Sequence, residues 1–164
     1  MTRLAPWIRL FFRFDGRISL RLFWTGIGLI ALFGIAMGTL VLPPLIGSRF
    51  APTVALLLCG PPLFAVTTKR FHDVNRSWWW NLLFGLPLGF TWVSHFSGLF
   101  PGEGINAVSL YWGLVSLITG GWALKKLGFE RGVEGFNDHG PDPLNPNDMG
   151  MPLTIRRERG LDDD

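Results

Sequence analysis

The apolar positions of this chain come in long unbroken runs, and its polar side chains gather in the gaps between them. Four runs approach the roughly 20 residues that a helix needs to cross a hydrocarbon layer. They are 20–42, 51–68, 78–100 and 105–124. Arg21, at the start of the first, is the one Lys, Arg, Asp or Glu within them. At about 1.5 Å per residue the longest runs reach about 34 Å, enough to cross with some tilt, and the second reaches about 27 Å. The second also carries Gly60-Pro61-Pro62 near its middle. Proline lacks a backbone donor and clashes with the preceding turn, which predicts a kink. Neighbouring helices must then satisfy the freed carbonyls, which places this run inside the bundle. The pattern predicts an all-α fold: a polytopic membrane protein of four transmembrane helices, preceded by a short N-terminal interfacial helix.

The flanks divide the chain into three regions. In 1–19, the stretch PWIRLFFRF at 6–14 reads as a basic amphipathic segment lying in the membrane interface. Pro6 suits a first helical position, and Asp15-Gly16 signals a turn. Region 20–127 is the four-span domain. Region 128–164 is a Gly-, Pro- and Asp-rich tail that cannot bury enough apolar surface to fold alone. Gly140-Pro141-Asp142-Pro143 specifies turns within it, and disorder is expected from about 144. A secretory signal peptide would share the basic leader, but the first run is too long and no small-residue cleavage site follows it.

Composition sharpens this picture. The chain is 48% hydrophobic and 16% charged, against about a quarter charged in ordinary soluble domains. Lys and Arg number 15 against 12 Asp and Glu. With this much apolar sequence the basic excess points to an anionic lipid surface and not to nucleic acid. The single cysteine, Cys59, sits in an apolar run and reads as a small buried hydrophobe. Of the 15 basic residues, only Arg49 lies in the gaps after the first and third runs. By the positive-inside rule both termini and the loop 69–77 face the cytoplasm. Trp24, Trp78, Trp79 and Trp80 fall at cytoplasmic ends of runs and read as interfacial anchors.

Three pieces carry the densest polar content: FDGRISLRLFW at 14–24, KRFHDVNRSWWW at 69–80 and GVEGFNDHGPDPL at 132–144. In this order they resemble the bacterial inner-membrane family labelled domain of unknown function 805, over roughly 10–144. The resemblance implies a small helical membrane protein of about four spans in the bacterial inner (plasma) membrane, and it implies no biochemical activity. One departure is Asn75, where the family usually has Gly. Asn tolerates left-handed backbone better than other side-chain-bearing residues, so a turn with positive φ is expected there, with Ser77 as N-cap of the third span.

The topology brings the three motifs to one membrane face, where Arg17, Arg21, Arg70, His72, Asp73, Arg76, Asn137 and Asp142 form a candidate cluster. Arg17 and Arg21, four apart, share a face if that stretch is helical. Three readings compete. The favoured one is a latch in which Asp73 and Asp142 accept arginine forks and hold the GPDP turn under the bundle. The second is a site for an anionic lipid headgroup or other anion. The third, a metal or hydrolytic site built from His72, Asp73, His139 and Asp142, is weakened by the absence of cysteine ligands and by the adjacency of His72 and Asp73. His95, alone among ionisable groups deep in a run, reads as a neutral interhelical hydrogen-bonding group, with Thr91, Ser94 or Ser116 as partner types. No nucleophile, phosphate-loop or metal signature is present. The expected function is non-enzymatic and without cofactor or metal: an interaction or accessory subunit of a membrane complex. The alternative is an oligomeric small-solute transporter or channel, or a binder of anionic headgroups. The expected partners are anionic lipid and either a membrane protein or further copies of the chain.

Overall fold

A computed structural model describes residues 5–48, 50–96, 107–135 and 137–144, and helix is the only extended regular structure among them. Helix α1 spans Ala5–Phe12, α2 Leu20–Ala36, α3 Pro43–Ile46, α4 Ala51–Asp73, α5 Trp80–Phe96 and α6 Ala107–Gly128. A π-helical turn, Met37–Val41, prolongs α2. It sits immediately before Pro43 and Pro44, which have no N–H to continue an α-helical ladder.

Among the described residues two helices are long and apolar enough to cross a membrane: Leu20–Val41, which joins α2 to its π turn, and Ala51–Asp73. Over their most apolar stretches only 11% of the first and 33% of the second is buried within the protein. A core helix of a water-soluble domain would be mostly covered. Here Leu32, Ile35 and Leu57 stand outward, 66%, 63% and 70% exposed. On α6, Leu117 and Ile118 do the same. Helix α5 is apolar over Trp80–Phe90 and packs closely on α6.

Several boundaries follow from local chemistry. Ser19 caps α2, its hydroxyl accepting from the Leu22 N–H at 3.4 Å. Helix α4 runs through Pro61-Pro62 and continues five residues beyond the predicted run, to Asp73. Asn75, with φ 54°, then turns the chain, as its departure from glycine suggested. The predicted cap at Ser77 is not what forms. Helix α5 starts at Trp80, after a turn in which the Trp80 N–H donates to the Ser77 carbonyl at 3.3 Å.

The α2–α4 contact is made close by small residues. A methyl added at Gly34 would lie 3.0 Å from Cys59 Sγ, and one at Gly26 would lie 3.3 Å from Val66. Cys59 is buried there and its thiol donates to the Ile30 carbonyl at 3.7 Å. Leu10 of α1 packs over this seam and, with Phe23, Val66, Phe71, Phe84 and Leu127, belongs to the apolar core. Helix α4 therefore lies at the centre, touching α1, α2, α5 and α6.

Candidate functional site

Helices α1, α4 and α6 end near one another, and each brings carbonyls that no helical N–H can reach. The cationic and amide side chains of the motifs satisfy them. Lys69, 4% exposed, donates from Nζ to the carbonyls of Arg9 and Leu10 (2.7 Å to the latter), near the end of α1. Arg70, fully buried, donates from Nε to the Leu127 carbonyl at 2.8 Å and from Nη2 to the Glu130 carbonyl, at the end of α6. The Asn137 amide donates to the His72 carbonyl at 2.9 Å, and the Val133 N–H donates to the Asp73 carbonyl at 2.8 Å, closing the end of α4. Cations beside helix C-termini also complement the negative end of the helix dipole.

Asp73 is the hub. One carboxylate oxygen accepts from Arg17 Nε at 3.1 Å and lies 3.0 Å from Arg17 Nη2 in an ion pair, and the other pairs with Arg70 Nη1. All three side chains are nearly inaccessible. Arg17 also donates to the carbonyls of Gly135 at 2.6 Å, Gly140 at 3.2 Å and Val133. Four hydrogen bonds and one ion pair thus tie its guanidinium to Asp73 and to the backbone of the loop that follows α6. Gly132 lets that loop reach the hub, since a methyl there would overlap the Asp73 carboxylate.

His72 sits beside the hub. Its Nδ1 donates to the Gly16 carbonyl at 3.1 Å, and its ring stacks on His139 with centroids 3.9 Å apart. Gly16 presents that carbonyl from a left-handed conformation, φ 85°, at the predicted Asp15-Gly16 turn. Asp142 accepts from the N–H groups of Gly135 at 3.2 Å and Leu144 at 2.8 Å, so it shapes the loop from within.

Arg17, Arg70, His72, Asp73 and Asn137 therefore meet, with Asp142 bracing the loop they hold. Arg21 does not join them. It is exposed, and because α2 starts only at Leu20, Arg17 lies in the preceding extended segment and the two arginines share no helix face. Arg76 is exposed as well, its guanidinium 5.0 Å from the centroid of the Trp80 ring. Asp142 takes no arginine fork among the described residues; backbone N–H groups occupy its oxygens. Of the tryptophans, Trp78 and Trp79 are exposed and stack on each other. Trp80 stacks on Trp122. Trp24 donates from its indole N–H to the Gly128 carbonyl at 2.9 Å and remains 41% exposed.

Lys69 was absent from the predicted cluster. A buried lysine that caps another helix leaves no mark in sequence beyond its place next to Arg70. His95 falls on α5, with its side chain outside the described residues, as are the predicted disordered segment after 144 and Arg49. Among the described residues no group of three or more His, Cys, Asp or Glu side chains is placed to hold a metal ion. His72 and His139 face each other, and Asp73 faces arginines.

The model of a family described as "Protein of unknown function (DUF805)" matches residues 11–141. That range takes in the first two motifs and the third as far as Pro141. No curated protein and no solved structure matches the chain.

Proposed function

The chain belongs to the DUF805 family of proteins of unknown function, and from that premise we propose a multi-pass protein of the bacterial inner membrane that serves as an interaction or accessory subunit of a membrane complex. In this reading four helices cross the bilayer, over about 20–42, 51–68, 78–100 and 105–124, and both termini lie in the cytoplasm. The segment 1–19 rests in the interface, and the region from 128 lies on the cytoplasmic side. Trp24, Trp78 and Trp79 meet headgroups there. The protein has no catalytic role and carries no cofactor.

The observation that carries this reading is the assignment of the motif side chains. Arg17, Arg70, Asp73 and Asn137 are buried among one another and backbone carbonyls. Such an arrangement builds a rigid face and leaves none of these four side chains open to a substrate. Meanwhile α2, α4 and α6 leave large apolar side chains uncovered, a surface that fits lipid and neighbouring membrane helices.

Native mass spectrometry after gentle detergent extraction from cells at native expression level tests the proposal. A protein partner in fixed stoichiometry is the expected result. A homo-oligomer with no other protein would replace the accessory-subunit reading with the oligomeric transporter or channel.

A further inference from the structure

We infer that α1, α2 and the cytoplasmic end of α4 form a binding site for one anionic phospholipid, distinct from the Arg17–Asp73–Arg70 hub. The inference rests on the membrane placement proposed above and deepens it. A cavity of about 290 Å³ opens between the N-terminal segment and α4, lined by Arg9, Arg13, Asp15 and Lys69, with Leu10 and Leu22 as apolar walls. Arg9 is exposed, and its side chain has no hydrogen bond or ion pair among the described residues. Lys69 gives two of its three N–H groups to carbonyls, which leaves one for the cavity. Arg13 is held by Asp15 at 2.8 Å, in a pair that is more than half exposed. Three cations against one carboxylate leave the cavity with a net positive charge of two. Arg17 borders the same cavity with its guanidinium already engaged by Asp73 and the loop after α6, so its main contribution there is positive field.

An apolar groove of about 660 Å³ adjoins the same elements, formed by Phe11 and Phe12 of α1, Leu29 and Phe33 of α2, and Leu57 and Pro61 of α4. The two hollows have no lining residue in common, but one face of α2 runs past both. Leu22, Leu29 and Phe33 are spaced seven and four residues apart on α2, so they fall on one face of that helix. Leu22 lines the cationic cavity, and Leu29 and Phe33 line the groove. Seven residues of helix separate the levels by about 10 Å. The N-terminal segment divides likewise, with Arg9 of α1 and Arg13 just after it on the cavity and Phe11 and Phe12 of α1 on the groove. A cationic pocket about 10 Å along a helix from an apolar groove suits a single amphiphile: phosphate in the first, acyl chain in the second. A free phosphate would use only the first, and a neutral lipid only the second.

The probe is phosphatidylglycerol, presented in mixed micelles with an equal amount of phosphatidylethanolamine, with retained lipid counted by native mass spectrometry. The intact protein should keep one phosphatidylglycerol in preference. Exchanging Arg9→Gln and Arg13→Gln together should lower that preference about 25-fold, each cation near a lipid surface contributing about fivefold. Leu29→Trp, which fills the groove and leaves every cation in place, should reduce retention of both lipids. Soluble glycerol phosphate should not compete. Hydrogen exchange of the loop 129–135 reports in each variant whether the fold is intact. Unchanged phosphatidylglycerol preference in the arginine variant overturns the site. So does effective competition by glycerol phosphate with Leu29→Trp at full retention, which would mark an anion pocket without an acyl groove. A chain that passes the topology tests described below yet shows either result has lost this site and kept its membrane placement.

Discussion

At the scale of single residues the loop after α6 is held by contacts with no slack. Gly132 passes so close to Asp73 that a side chain there would displace the carboxylate from both arginines. Gly132→Ala should therefore release the loop, seen as rapid cleavage between 129 and 144 by a protease that leaves the parent chain intact over the same time. Asn75 offers a gentler test. Its φ of 54° costs about 1 kcal/mol or more for most side chains and little for Gly or Asn. Asn75→Ala should lower thermal stability by about 1 kcal/mol, and Asn75→Gly should leave it unchanged; equal melting of the two variants would remove the backbone argument. Sequence reading reached Asp73, Arg17 and Arg70 because carboxylates and guanidiniums declare their pairing chemistry. It did not reach the carbonyls of Leu127, Glu130, Val133, Gly135 and Gly140, which take most of the arginine N–H groups. Backbone acceptors carry no residue signature. Asp142 is the same case, since its oxygens accept from the backbone N–H groups of Gly135 and Leu144.

At the scale of elements, the apolar runs located the helices, because hydrophobicity is the property that both the runs and the helices express. Ends were harder. Helix α2 starts at Leu20, which separates Arg17 from Arg21. Helix α4 extends over Lys69, Arg70, His72 and Asp73 because each finds a buried partner that the sequence does not reveal. The α2–α4 seam makes a prediction of its own. Gly34 faces Cys59 with room for no more than hydrogen. Gly34→Val should overpack the seam and cost about 1–3 kcal/mol. Cys59, buried in the parent protein, then becomes the reporter: maleimide labelling in detergent should accelerate markedly in the variant. Labelling at the parent rate would mean that α2 and α4 do not pack as described.

At the scale of the whole molecule, the buried charge among the described residues gathers at one end of the bundle. Lys69, Arg70 and Asp73 are at most 4% exposed, yet each is paired or hydrogen-bonded. Groups of this kind tolerate burial only when satisfied. Proposed topology sets this end in the cytoplasm, so a periplasm-active reporter fused after Thr68 or after Lys126 should be silent; activity at either point would reverse the orientation. Convergence of three sequence-distant motifs followed from counting basic residues in the gaps. Their mutual geometry did not, since it depends on where the loop 129–144 docks, and the turn signals in that loop do not say what it docks against.

Amide hydrogen exchange of that loop in Asp73→Asn against the parent protein, both in lipid nanodiscs, tests the account most directly. Replacing the carboxylate leaves two buried guanidiniums without their counter-charge, a change that typically costs about 3–5 kcal/mol. The Val133 amide and its neighbours should exchange at least about a hundredfold faster in the variant, while the amides of α2 along the apolar seam keep their protection. Equal exchange of the loop in the two proteins would show that Asp73 does not hold it.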